Sequence, residues 1–334
     1  MANQSPDVVE CLTRIPLSAR ERLLQLPPTR TGHGDAYAAV PAFGQLELRP
    51  AGLPHPETRA VRIAAWNLER CLYPDAAAQV LQRNGVDIAL LTEMDIGMLR
   101  TGQVHTIGQV AERLGHGYCY GLEFLELNAM EPPAGHACRG TENTDGLHGN
   151  GITSSRPMLD PVIIHLDEEA DWFTPAAEQR RVGKRMALAA TFEVGALAFV
   201  ACTVHLENRT NGAGRARQMQ TLLAALDDYA GDLPVVIGGD LNTAVGPGGH
   251  GDPAEPLFAV ASERGYDWET CNLPRPTTRI SAWSTGANEP ARQLDWFCVR
   301  GVAVDEPVVV PALGGADDAT VLSDHDMVLL TLRF

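Results

Sequence analysis

The chain has 334 residues, 45% of them hydrophobic and 20% charged, which excludes a disordered or fibrous protein and provides for a sizeable core. Its formal net charge is −16, from 42 Asp+Glu against 26 Lys+Arg, which argues against a protein that grips a nucleic-acid backbone by charge alone. An acidic chain still cleaves phosphoesters when a divalent cation bridges its carboxylates to the substrate.

Residues 1–58 differ from the rest. Residues 5–15 and 18–26 are expected as short helices, each opened by a serine cap, and a Gly/Ala/Pro-rich stretch runs on to Pro56. This reads as an N-terminal extension ahead of one domain over residues 59–334. No basic start is followed by an apolar run, and no apolar run reaches the ~20 residues of a membrane helix. The expectation is a cytoplasmic protein with no transmembrane segment and no stable protein partner in evidence. Residues 61–66 read as a strand, 75–84 as a helix ending at Gly85, 87–91 as a buried strand and 106–114 as a helix closed by Gly115. Residues 186–194 and 197–204 form a predicted hairpin about Gly195. Residues 213–229 are the clearest helix, with Ala216, Met219, Leu222, Leu223, Leu226 and Tyr229 on one face. Strands at 234–237, 295–299 and 327–332 follow. Strand runs with interspersed helices and hairpins fit two packed mixed sheets with helices outside better than a regular βαβ wind. The Gly/Pro-rich loops at 131–149 and 244–256 are long enough to suspect function. The seven cysteines form no CxxC pair, and Cys202 and Cys298 lie in apolar runs, so buried thiols in a reducing compartment are expected.

The informative polar residues stand at strand tips. Asn67 follows VRIAAW, Glu93 follows DIALLT, His205 follows FVACTV, and Asp240 and Asn242 follow PVVIGG. Asp295 precedes WFCV, and Asp324 and His325 precede the last strand. Taken singly, each has an ordinary structural reading: a turn residue, a helix-start acid, an edge histidine. Apolar strands that each deliver a carboxylate, amide or imidazole to one rim are how a sandwich builds a polar pocket.

In this order, W-N, L-L-T-E, H-G-N, T-V-H-L, G-G-D-L-N, L-D-W and S-D-H resemble the endonuclease/exonuclease/phosphatase superfamily over residues 61–334. The resemblance implies a four-layer α/β/β/α sandwich and a metal-dependent phosphoester hydrolase, a nuclease first and a small-molecule or phospholipid head-group phosphodiesterase second. It implies Mg²⁺ or Mn²⁺ held by Glu93, Asn67 and Asp324 through oxygen ligands. Asp240 would orient or deprotonate the attacking water, and Asn242 would donate to a phosphate oxygen. Asp295 and His325 would form a carboxylate–imidazole pair, and His205 would stand near the leaving oxygen, the division of acid and base between the two histidines being open. His148 and Asn150, in H-G-N, would reach the phosphate. A histidine at position 205 resembles the deoxyribonuclease, sphingomyelinase and 5-phosphatase branches.

Beside these, the basic run 180–185 offers Arg181 and Arg185 for a second phosphate, with a solvated loop as the plainer reading and Glu178 as a pairing acid. His250 follows the Asp240 motif. Trp66 and Trp296 read as core, and Trp283, in a polar loop, as a stacking platform. A non-catalytic module on the same fold would lack Glu93, Asp240, Asn242 or His325, and none is missing. An interaction protein acting through residues 1–58 would lose its partner, and keep its activity, on truncation.

Overall fold

The structure, a computed structural model, describes residues 6–51, 60–136, 140–174, 180–252, 254–284, 290–305, 307–315 and 319–334. Among these residues the larger sheet has ten strands. From one edge they run Asp7–Val9, Gln45–Arg49, Gly117–Glu126, Leu147–Ser154, Ile88–Ile96, Ala60–Arg70, Met327–Arg333 and Ala303–Val304, with Arg181–Gly183 on Gly117–Glu126 and Val308–Val310 on Met327–Arg333. The second sheet has five, ordered Asp295–Arg300, Val235–Asp240, Leu197–His205, Met186–Val194 and Leu159–His165.

Central strands covered on both faces need apolar side chains on both, and their alternation sorts the core into layers. In Ala60–Arg70, Ile63 and Ala65 face the space between the sheets, together with Ile88, Leu90, Phe192, Phe199, Val236 and Phe297. Ala64, Trp66 and Leu68 face outward, in the cluster that also holds Ala77 and Leu81 of helix Pro74–Arg83 and Ile107 and Val110 of helix Thr106–Leu114. Beyond the second sheet, Ala187, Ala189, Val200 and Cys202 pack with Met219, Leu222, Leu223 and Leu226 of helix Gly212–Ala230 and with Leu257 and Phe258 of helix Pro256–Glu263. Helices, sheet, sheet, helices: this is the expected four-layer sandwich. The long helix starts where Asn211 accepts from the Gly214 N–H, satisfying one of its orphan donors.

Three local expectations change. The described part of 5–15, residues 6–15, holds no helix: Asp7–Val9 is a strand paired in parallel with Gln45–Glu47, in keeping with its two valines. The next helix is Leu17–Leu24, and Pro16, not Ser18, stands at its cap. The 131–149 segment is not all loop, because strand Leu147–Ser154 begins inside it and carries His148 and Asn150. Its glycines permit strand contact: a Cβ at Gly149 would lie 2.1 Å from the Gly121 carbonyl oxygen.

Gln45–Arg49 adds to the sheet by pairing with Gly117–Glu126. At its centre Glu47 accepts from the Leu12 N–H at 3.0 Å, His105 Nε2 at 2.8 Å and the Tyr118 hydroxyl at 2.6 Å. Cys11 is exposed, and Cys71, Cys119, Cys202, Cys271 and Cys298 are buried and free. Cys138 lies outside the described residues. Among those residues no helix is long and apolar enough to cross a membrane.

Candidate active site

Strand direction collects the polar tips at one rim. Ala60–Arg70 runs parallel to Ile88–Ile96, with Asn67 level with Thr92, and antiparallel to Met327–Arg333. In the second sheet His205 is level with Asp240, and Asp240 with Asp295. Asn67 joins the two sheets, since its Nδ2 donates to Asp240 Oδ2 at 3.1 Å and to Glu93 Oε1 at 3.3 Å.

The rim is built on irregular backbone. Pairing shifts register between Asn67 and Arg70 and between Leu91 and Met94, and bulges of this kind re-aim side chains. Glu69 (φ 45°), Arg70 (φ 73°), Glu93 (φ 57°) and Asn242 (φ 47°) are all left-handed, at about 1–3 kcal/mol each. Gly239 (φ 154°) is required, because a Cβ there would lie 1.9 Å from the Val204 carbonyl oxygen. That contact lets Asp240 end its strand hard against its neighbour.

Asp240 Oδ2 is the centre. His205 Nε2 lies 3.5 Å from it and His325 Nε2 lies 3.7 Å from it. Behind His325, Nδ1 is 2.7 Å from Asp295 Oδ2, which also accepts from the Thr277 hydroxyl at 2.6 Å. Behind His205, Nδ1 is 2.9 Å from Arg185 Nη1. Burial opposes a charge on His325, but Asp295, Asp324 and Asp240 raise it well above the ordinary histidine range. Burial and then Arg185 hold His205 well below it. Burial likewise lifts the Asp240 carboxyl, against the pull of His325.

A second group of acids adjoins this centre. Burial raises Glu93, but Arg70 and the surrounding imidazoles outweigh it and keep the carboxyl ionised. Burial and Asp324 raise Glu69. Glu69 Oε2 accepts from the Asp324 N–H at 3.0 Å, and its Oε1 accepts from the Ser281 hydroxyl at 2.6 Å. Glu69, Glu93 and Asp324 therefore repel one another with Arg70 as the cation among them, and carboxylate oxygens are the donors a hard divalent ion takes. The Asn67 oxygen accepts from the Glu69 N–H at 3.0 Å, and its NH₂ faces the acids. Ligand atoms of Asp240, Asp295 and His325 also lie within 4.8 Å of one another, but Asp295 and His325 already bond each other.

The remaining expected residues divide. Asn242 adjoins the centre, with its N–H on Asp240 Oδ1 at 2.9 Å and its Nδ2 on the Leu206 carbonyl at 2.9 Å. His148 is buried, with Nδ1 2.8 Å from Asp95, and Asp95 in turn is bound by Arg100, which also holds Glu126. Asn150 is buried and donates to the Met186 carbonyl at 3.2 Å. The basic run 180–185 is no solvated loop. Arg180 donates to the Leu24, Leu26 and Phe173 carbonyls. Arg181 lies 4.0 Å over Phe124 and 3.7 Å over Trp172. Arg185 is buried on Glu123 and Glu207, which leaves it no face toward bulk solvent for a second phosphate. Trp66 and Trp296 are buried, and Trp66 Nε1 donates to the His325 carbonyl at 2.8 Å. Arg70 lies 4.7 Å over Trp283. His250 is exposed, and Glu178 falls outside the described residues. Glu69, Arg70, Glu123, Glu207 and Thr277 were not singled out from sequence. Glu69 and Glu207 had a signal, two residues beyond Asn67 in W-N-L-E and two beyond His205 in T-V-H-L-E.

The model of the Endonuclease/Exonuclease/phosphatase family matches residues 64–325. The chain belongs to this family. No curated protein sequence matches it. Solved structures of similar fold include the endonuclease/exonuclease/phosphatase from Beutenbergia cavernae, at 20% identity and TM-score 0.57 over 83% of this chain and 72% of that one. A D. rerio TDP2 complexed with single-strand DNA product aligns at 18% identity and TM-score 0.55, over 83% of this chain and 100% of that one. The Bacteroides thetaiotaomicron mannosyl-6-phosphatase aligns at 16% identity and TM-score 0.55, over 82% and 100%. At these identities the likeness establishes the fold, and endonuclease/exonuclease/phosphatase proteins are hydrolases of phosphoester bonds.

Proposed function

We propose that this protein is a Mg²⁺- or Mn²⁺-dependent phosphodiester hydrolase. The observation that carries the reading is the convergence of His205, His325 and Asn67 on one oxygen of Asp240, beside the Glu69, Glu93 and Asp324 carboxylates. Those three carboxylates would hold the cation, which supplies charge neutralisation at the phosphoryl oxygens when bound. Asp240, a carboxyl lifted by burial, is suited to accept the proton of an attacking water near neutral pH. Asp295 fixes the proton of His325 on Nδ1 and keeps the ring cationic, so its Nε2 faces the phosphoryl oxygens as a charged donor. Asn242 brings an amide to the same edge. Its left-handed backbone aims it there.

A nucleic-acid strand is the first substrate class. One arginine–tryptophan pair supports it, Arg70 4.7 Å over the half-buried Trp283 near the acids. Such a pair offers a planar stacking surface and positive charge in a chain that is acidic overall. A small phosphodiester or phospholipid head group is the second class, favoured by the −16 net charge. One panel tests both: single- and double-stranded DNA, RNA, sphingomyelin, inositol phosphates and cyclic dinucleotides, each with Mg²⁺, with Mn²⁺ and with chelator. Turnover that survives the chelator would remove the metal-dependent reading.

A further inference from the structure

His205 has an unusual neighbour for an imidazole at such a centre. Its Nδ1 faces two groups. Glu123 Oε2 is 3.8 Å away, beyond hydrogen-bond reach, and Arg185 Nη1 is 2.9 Å away. A guanidinium has only donors and keeps its proton in proteins. The short contact therefore requires a lone pair on Nδ1, which leaves the single ring proton on Nε2, the nitrogen directed at Asp240. Arg185 cannot easily turn away. Its Nη1 also donates to Glu123 Oε1 at 3.1 Å and its Nε donates to Glu207 Oε2 at 3.3 Å. Glu207 is fixed in turn by the Trp172 indole N–H at 2.8 Å and the Arg209 N–H at 2.9 Å. Both acids and the arginine are buried.

We propose that Arg185 is a positioning residue that locks His205 in the neutral Nε2–H tautomer, so that His205 serves as an uncharged hydrogen-bond donor and not as a proton-delivering imidazolium. The chemical part of this inference rests on the hydrolase reading above, and the tautomer itself does not. In that reaction the bond from phosphorus to the leaving oxygen breaks and its electron pair goes to the oxygen. His205 Nε2–H donates a hydrogen bond to that developing anion. Handing over the proton would leave an imidazolate, so the proton that finally settles on the leaving oxygen is not that of His205; it is drawn from solvent, to which Asp240 later returns the proton it took from the attacking water. Substrates whose leaving groups are acidic, such as aryl or other stabilised oxyanions, are thus the class this site cleaves fastest.

Nitrogen NMR of the histidine rings in the intact protein at about pH 7 tests the tautomer, with the His205 signals identified by their loss in His205→Gln. A proton on Nε2 and a bare Nδ1 is the expected pattern. A proton on Nδ1, or on both nitrogens, overturns the proposal. Arg185→Gln, whose amide offers both a donor and an acceptor, is checked for folding by circular dichroism and is expected to turn the pattern into a tautomer mixture, and an unchanged pattern overturns the part given to Arg185. Kinetics on an aryl phosphodiester test the role. His205→Gln retains a neutral N–H donor and is expected to stay within about tenfold of wild type, whereas His205→Ala is expected to lose about 10²–10³-fold in kcat. Equal losses in the two variants overturn the neutral-donor role. A wild type silent on every phosphodiester overturns that role together with the reading it rests on, while the nitrogen spectrum still decides the tautomer.

Discussion

Two imidazoles approach the same Asp240 oxygen at nearly the same distance, 3.5 Å for His205 and 3.7 Å for His325, and they are supported in opposite ways. An acid stands behind His325 and a guanidinium behind His205. One ring is held charged and the other neutral. Distance to the reacting centre therefore does not assign a histidine its role. The group bonded to its far nitrogen does, because that group decides where the proton resides.

The sharpest way to break this comparison is to remove its shared point and its charged side. Asp240→Ala and His325→Ala are each expected to lower kcat by about 10³-fold or more in steady-state assays. Retention of wild-type turnover by either would end the assignment of roles. Asp295→Asn comes next. The amide cannot hold His325 cationic, and a loss of about 10²–10³-fold in kcat with little change in KM is expected. A KM effect alone would make Asp295 a binding residue. Glu69→Gln and Glu93→Gln should weaken Mn²⁺ binding in calorimetric titrations, Glu93 more and Glu69 by about 10–100-fold. Unchanged titrations would move the cation elsewhere.

The smallest effect probes the same rule at a buried histidine outside the Asp240 centre. His165 is pushed down to about 4 by burial and then by Lys184. Its folded value lies below the ordinary one of about 6.5, so the unfolded chain takes the proton first. The stability it contributes is full above about pH 6.5 and falls as the pH drops toward about 4. Comparing urea midpoints near pH 7 and near pH 4.5, His165→Gln should remove on the order of 2 kcal/mol of the acid loss. Equal acid sensitivity in both proteins would show that the ring is free to charge.

Much of the architecture was legible because burial writes itself as apolar runs. Ile88–Ile96 and Val235–Asp240 read as strands, and one polar residue at each tip stood out against them. The Gly195 hairpin and the 213–229 stripe were equally plain, since each has a single period and a clear stop. Gly117–Glu126 was missed. It is buried throughout yet carries Glu123, Glu126 and two glycines, a pattern that matches neither an alternating nor a continuous strand. Arg185 was offered for a second phosphate, or as part of a solvated loop, because a basic run by itself suggests one or the other. Its partners Glu123 and Glu207 come from elsewhere in the chain, and no local spacing announces them. The tautomer of His205 follows from that same non-local meeting, so it became readable only once the strands were in register.

The Glu47 junction has a practical consequence. It ties residue 12, the Thr106–Leu114 helix cap and the flank of Gly117–Glu126 to a single carboxylate. Trimming the first fifty residues to make a shorter variant would strip that flank bare and leave the strand without a partner over Tyr118–Gly121, an open edge on which neighbouring molecules stack into aggregates.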